Sequence, residues 1–423
     1  MFQTLKLNGL SLPSSPSSPD SSSTANSSTA SKAIGSTPKT LISIVEGRKH
    51  DVFDADEWTN PYPAYRGSLL NKLANLMEEH KDDLIALGCA NTGNTVYQCS
   101  TLDLPGSVGT WRYYAGWTDK VRGETAAVGS VGRLFRGTFP MMMFTWKIAP
   151  ALVTGNTVII KSAEATPLSA LKICDFISQA GFPLGTLNLV SGYRRTVRSA
   201  ITHHMNVDKV AFTSFTATGR AIMRATADQN LKKVTFKLGG KSPVRTRIYV
   251  HEDVYEEFLA KFTNTMSELT VGHLFNKCTN QGPQNSQMQY DKNLGGIDSG
   301  IQEGATVHLG SKAIDKGTGV YYIQPTIFTN IMPKIYSAPL SNNRTYGLAA
   351  GCHTKDYERA IRVINALRAM TTWESMYNVV HWSIPFGGYK ESRIGGKCGE
   401  PVLENYTQTK VVYLDMGMEC PRA

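Results

Sequence analysis

The sequence predicts an α/β protein built from doubly wound parallel sheets, with helices on both faces. Three observations carry that prediction. Residues 155–240 alternate short apolar runs with helix-patterned ones. A second alternation runs from residue 247 to about 370. The composition, 41% hydrophobic against 18% charged, supports a substantial buried core.

The elements follow in order. RGSLLNKLANLMEEHKDDLIALGCANTG (66–93) sets Leu69, Leu70, Leu73, Leu76 and Met77 at helical spacing, with Gly88 and Gly93 punctuating its end. In GNTVIIKSAEATPLSALKICDFISQAGFP (155–183), TVII reads as a buried strand, 162–167 as a turn and 168–180 as a helix stopped by Gly181. TLNLVSG (186–192), DKVAFTSF (208–215) and KKVTFKLGG (232–240) are further strands, with the helix TGRAIMRATADQ between the last two. Beyond them, RIYV (247–250) reads as a strand leading into a helix. PTIFTNI and TYGLAAGCHT read as strands, and DYERAIRVINALRAM as a helix. The tail YTQTKVVYLDM (406–416) is β-prone. It either completes a sheet in a neighbouring subunit or forms an ordinary edge strand.

Several function classes are set aside on composition. The net charge is +10, but the basic residues are dispersed and no nucleic-acid-binding motif occurs. No apolar run reaches the length of a transmembrane helix; FPMMMFTWKIAPALV (139–153) is broken by Lys147 and Pro150. The seven cysteines, Cys89, Cys99, Cys174, Cys278, Cys352, Cys398 and Cys420, have neither CxxC nor zinc-ligand spacing, and read as reduced thiols of a cytoplasmic protein. The pair His203–His204 reads as solvated loop histidines, so no metal is expected. Residues 1–40 form a Ser/Pro-rich tail too polar to fold. The absence of arginine and the presence of Asp20 speak against a transit peptide.

Four stretches in fixed order then resemble one family: KSAEATPLSA (161–170), DKVAFTSFTATGR (208–220), KKVTFKLGGKSP (232–243) and PFGGYKESRIGG (385–396). Together they are similar to the NAD(P)-dependent aldehyde dehydrogenases, nearest in flavour to the cytosolic fungal type. The resemblance runs from about Arg66 to the C-terminus. It implies an NAD-binding domain over 41–236, a remnant catalytic domain over 237–395 and a C-terminal bridging or oligomerisation segment over 396–423. It also implies an aldehyde as small-molecule substrate and assembly into a homo-oligomer.

The family match assigns a cofactor site. Lys161 and Glu164 match the pair that grips the adenosine ribose, and a carboxylate there favours NAD because it repels a 2′-phosphate. Gly219 matches the glycine of the pyrophosphate loop. Leu238 and Gly239 belong to the glycine turn KLGGK. In the same loop Ser214 replaces a glycine, and Phe215 places a phenyl ring where a phosphate oxygen is expected. Arg194 and Arg198, in the loop after TLNLVSG, either grip phosphate or fill the groove.

The chemistry of the family needs a cysteine nucleophile, an Asn that stabilises the oxyanion and a Glu that activates water. The resemblance places Thr138 where that Asn stands and Lys237 where that Glu stands. Pro243 is followed at once by Val244-Arg245-Thr246 and RIYV. The helix and loop that carry the nucleophile are therefore missing, and no other cysteine occupies an equivalent position. Cys278, in FNKCTNQGP, lies beyond that junction. A second junction, between NIMPKIYSAP (330–339) and TYGLAAG (345–351), omits the E-I-F-G-P motif whose Glu binds the nicotinamide ribose. Ser375 stands where an Asn is usual, and Arg393 replaces a glycine. No catalytic residue is intact. Three readings follow: NAD-dependent oxidation of an aldehyde to a carboxylic acid, by descent; a non-catalytic scaffold or nucleotide-binding pseudoenzyme; or a decayed or mis-joined coding sequence.

Overall fold

A computed structural model describes Trp58 and residues 62–121, 125–127, 130–134, 139–239, 248–314, 320–330, 342 and 345–413. It opens with helices. The pattern over 66–93 resolves into two, α1 (Pro63–Glu79) and α2 (Lys81–Thr92). They break at His80, whose φ of −102° and ψ of 30° leave the helical region. Gly88 lies inside α2, and Gly93, at φ 78°, ends it in the left-handed conformation that glycine adopts without strain. α1 buries Leu69, Leu70, Leu73, Ala74 and Met77. α3 (Leu104–Ala115) packs against them through Val108, Trp111 and Tyr114.

The short strands β1 (Thr125–Ala127) and β2 (Ser130–Leu134) precede α4 (Pro140–Val153). Every residue of α4 from Met143 to Val153 is buried. This explains the apolar run over 139–153: a helix hydrophobic on all sides is a core helix. Among the described residues no helix is long and apolar enough to cross a membrane.

The strand–helix alternation then builds the main sheet. β3 (Thr157–Lys161), α5 (Leu168–Gln179), β4 (Leu187–Val190), β5 (Lys209–Thr213), α6 (Thr216–Ala227) and β6 (Lys233–Lys237) follow in chain order. β6, β5, β2, β3 and β4 lie side by side in that order, all parallel. β3 shows why its centre, Val158 to Ile160, is apolar throughout. Val158 and Ile160 pack into the cluster with α1, α3, α4 and α5, whereas Ile159 packs on the other face with Val210, Phe212 and Ile222. A parallel strand covered on both faces needs apolar side chains at every position.

The second half is thinner. Residues 248–250 pair with no strand, so RIYV is not the strand its composition predicts. Those residues lead directly into α7 (Glu252–Ser267), and Arg247 lies outside the described residues. α8 (Gln287–Gln302) follows, and neither α7 nor α8 buries a single residue. β7 (Thr306–Leu309) pairs with β10 (Ile327–Thr329), and β8 (Ala313–Ile314) with β9 (Tyr322–Ile323), both antiparallel. β11 (Tyr346–Gly347) pairs antiparallel with β14 (Tyr389–Lys390), and between them one parallel unit recurs: β12 (Ala349–Cys352), α9 (Tyr357–Ala366) and β13 (Thr371–Glu374). α9 therefore stops four residues short of the run that sequence pattern assigned to it, and Thr371–Glu374 becomes a strand.

Two returns of the chain bind the C-terminal stretch to the first half. β15 (Arg393–Ile394) adds antiparallel to β6 as the sixth strand. β16 (Thr407–Thr409) pairs antiparallel with β1 of the same chain. Tyr114 Oη donates to the Gly399 carbonyl at 3.0 Å, and Asn156 Nδ2 donates to the Tyr406 carbonyl at 3.0 Å.

Candidate functional site

In an open parallel sheet, ligands gather outside the carboxyl ends of the strands. Lys161 ends β3, Thr213 ends β5 and Lys237 ends β6, so three polar side chains lie along one edge. The residues singled out from sequence divide between two ends of it.

At the β3 end, Lys161 is buried, with its ammonium donating to the Ser162 carbonyl at 2.8 Å. Glu164 sits 3.5 Å from it, about a third exposed. An ammonium and a carboxylate side by side, one anchored and one open to solvent, supply the donor and acceptor that a vicinal diol needs.

At the β5–β6 end, Leu238 and Gly219 meet. A Cβ on Gly219 would lie 2.5 Å from Leu238 Cδ2, so α6 approaches this closely only because Gly219 has no side chain. The turn is held by Ser214 N donating to the Lys237 carbonyl at 3.1 Å, and by Leu238 N donating to the Ser392 carbonyl at 2.9 Å. Gly239 has φ 113°, a conformation strained for any other residue, and open space where a Cβ would be.

Phe215 caps the start of α6 without a side-chain acceptor and is 40% exposed. Lys292 of α8 places its ammonium 4.7 Å from the centre of that ring. A phenyl ring thus stands before the first N–H groups of α6, which a helix leaves without intrahelical partners. Arg198 lies in the helical turn 194–198, part-exposed.

The position that the resemblance matches to the family's base is cationic. Lys237 carries its ammonium 4.9 Å from the Phe386 ring centre and faces Arg393 across the β6–β15 pair. Lys397 is buried, with Nζ 3.3 Å from Thr213 Oγ1 and 3.8 Å from Met143 Sδ. Burial holds its amine well below the usual lysine value, and Lys147, Lys237 and Arg393 push it further down. Sequence reasoning noted Lys237 and Arg393 singly and missed the cluster. Nothing in the spacing of residues 237 and 397 shows that they meet.

The thiols add no nucleophile here. Cys398 is the one packed against this cluster, buried with Met143 and Trp146. Burial pushes its thiol up to about 12, against the pull of Lys397, Arg393 and Lys237. A thiol of that kind stays protonated at neutral pH. Cys278 is exposed beyond α7, and Ser375 lies at a positive φ of 49° after β13. Thr138, the junction at 243–247, residues 339–341, 343 and 344 at the second junction, and Cys420 lie outside the described residues. Among the described residues no group of three or more His, Cys, Asp or Glu side chains could hold a metal ion.

Fold and edge together define a doubly wound α/β protein of the nucleotide-binding kind. The comparisons make the class specific. The aldehyde dehydrogenase family matches residues 23–246, 244–339 and 337–412. An aldehyde dehydrogenase of Alternaria alternata is 38% identical over 454 residues, covering 90% of this chain and 91% of the relative. One of Agaricus bisporus is 38% identical, covering 90% and 89%. The NAD+ complex of an aldehyde dehydrogenase from Bacillus cereus superposes with a TM-score of 0.84 at 32% identity, covering 90% of this chain and 89% of that one. The chain belongs to the aldehyde dehydrogenase family. The family match breaks at 244–246 and again at 337–339, close to the two junctions expected from sequence. The span aligned with the Alternaria protein, 454 residues, also exceeds the 423 residues of this chain, so the relative carries internal residues that this chain lacks.

Proposed function

We propose that this chain is a nucleotide-binding member of its family that does not oxidise aldehydes. The observation that carries the reading is the base position. Lys237 stands at the carboxyl end of β6 beside Arg393 and close to Lys397, where water activation calls for a carboxylate. The family match breaks at 244–246, where the resemblance would put the cysteine-bearing segment.

NAD, the cofactor of the Bacillus cereus relative, fits the β3 end. Lys161 and Glu164 would hold the adenosine ribose through its hydroxyls. Gly219, Leu238 and Gly239 would shape the turn beneath the phosphates. Bound NAD supplies a hydride acceptor. What this chain's residues do is bind and orient it, because among the described residues neither a nucleophilic thiol nor a carboxylate base stands at this edge. We place the nucleotide-binding part at 41–236, the catalytic remnant at 237–395 and the bridging segment at 396–423. Free cysteines fit a cytoplasmic protein. Val411, Val412 and Tyr413, exposed directly after β16, suit a homo-oligomeric contact.

The test is direct. Purified protein with NAD and a panel of aliphatic and aromatic aldehydes is followed for NADH formation, and NAD binding is measured by calorimetry. Binding without turnover is the expected result. Turnover above a no-enzyme control overturns the reading. Absence of both leaves the chain a relic without ligand.

A further inference from the structure

The cationic cluster at the end of β6 is a ligand site in its own right. Arg393 is 6% exposed and its Nη2 has no hydrogen-bond partner. Gly387 and Gly396 leave room for the guanidinium: a Cβ on Gly387 would overlap Nη1, and one on Gly396 would come within 3.0 Å of Nη2. Lys237 is its register partner on β6, and Thr213 is the register partner of Lys237 on β5. Cross-strand neighbours share a sheet face, so the three lie in a row. Lys397 reaches the same row through Thr213 Oγ1. Among the described residues, the charges acting on Lys397 are Lys147, Lys237, Arg393 and the Cys398 thiol; those acting on Arg393 are Cys398 and Tyr406. No carboxylate is in either set.

Buried charges persist where an opposite charge compensates them. Here the buried Arg393, with an unsatisfied N–H, lies beside Lys237 and Lys397 at the strand ends where doubly wound sheets bind ligands. We propose that Arg393, Lys397 and Lys237, gathered with Thr213, form a binding site for one small oxyanion, a carboxylate or an inorganic phosphate. The Arg393 fork matches two oxygens of such a group, and Lys397 and Thr213 donate to the same anion. The site does not depend on nucleotide binding.

The experiment is isothermal titration of the full chain, without NAD, in one arm with acetate and in the other with inorganic phosphate. The expected result is one saturable site per chain in the millimolar range or tighter. The tighter arm tells a carboxylate ligand from free phosphate. Arg393→Met should weaken binding at least tenfold, and Arg393→Lys, which keeps the charge but not the fork, by less. A measurement on the unaltered protein stands beside these variants. The Lys397 amine is held neutral by burial and by Lys147, Lys237 and Arg393, so an anion beside it draws in a proton. Titrations in buffers of different ionisation heat at pH 8 should therefore show proton uptake. No saturable binding in either arm, binding unchanged by Arg393→Met, or binding without proton uptake would each overturn the assignment.

Discussion

At the scale of single residues, the edge of the sheet shows two kinds of side chain. Some match the family's chemistry and some reverse it. Glu164 is of the first kind: part-exposed, and 3.5 Å from the buried Lys161. A hydrogen bond to a charged group contributes about 1.5–3 kcal/mol, so Glu164→Gln should weaken NAD binding roughly tenfold or more, read by calorimetry. Gly219 tests the turn. Its Cβ space belongs to Leu238. Gly219→Ala gains about 1 kcal/mol of helix propensity and costs about 1–3 in overpacking. A small net loss in denaturant stability is expected. Leu238→Ala alone should cost about 2–5 kcal/mol. The double variant should be more stable than the sum of the two, because the alanine methyl then enters the space that Leu238 left. Strict additivity would show that the two residues do not share that space. Lys397 is of the second kind. Its depressed amine means that the unfolded chain binds more protons than the folded one, so its contribution favours folding increasingly as pH rises towards the usual lysine value. Lys397→Met should flatten that alkaline rise in urea titrations.

At the scale of elements, legibility followed burial. β3 and β5 could be read because strands covered on both faces are apolar at their centres, Val158 to Ile160 and Val210 to Phe212. RIYV has equal β propensity, yet residues 248–250 form no strand, because propensity without a partner edge gives no ladder. The long helix over 66–93 was legible as helix but not as two, since the break at His80 is set by packing and not by a glycine or proline. The start of α4 holds a pH-sensitive contact that no sequence pattern announces. Asp103 is fully buried and accepts from Met142 N at 2.7 Å, while its second oxygen has no partner. Burial raises its carboxyl to about 7, although the hydrogen bonds from Met142 and Met141 oppose the shift. A raised acid binds more protons folded than unfolded, so stability falls as pH climbs from about 4 to about 7, with a limiting slope of about 1.4 kcal/mol per unit. Asp103→Asn should remove that slope in urea titrations at pH 4.5, 5.5 and 6.5. An unchanged slope would mean that Asp103 ionises in the folded protein as it does unfolded.

At the scale of the whole molecule, the two halves of the chain have unequal cores. The three apolar clusters draw their buried members from residues 58–238 and 398–406. Among the described residues between 248 and 330, only Tyr322, Ile323 and Ile327 are buried apolar residues, and α7 and α8 contribute none. Both helices are amphipathic in sequence, and their apolar faces are covered only in part: Tyr290 of α8 meets Tyr321 at 5.3 Å between ring centres, and Gly300 lies against Phe328. Val254, Met288 and Ile301 are exposed on them. The breaks in the family match lie on either side of this stretch, at 244–246 and 337–339. A helix with few buried contacts opens at a free energy well below that of the global fold. Hydrogen exchange read by mass spectrometry should therefore find the amides of α7 and α8 exchanging about a hundredfold faster than those of α1 and α4, a gap of roughly 2.7 kcal/mol. Proteolysis at low protease concentration should cut first between residues 248 and 330 and leave 62–239 intact. Should α7 and α8 be as protected as α4, their apolar faces must be covered in solution by a second copy of the chain, and protection would then fall on dilution.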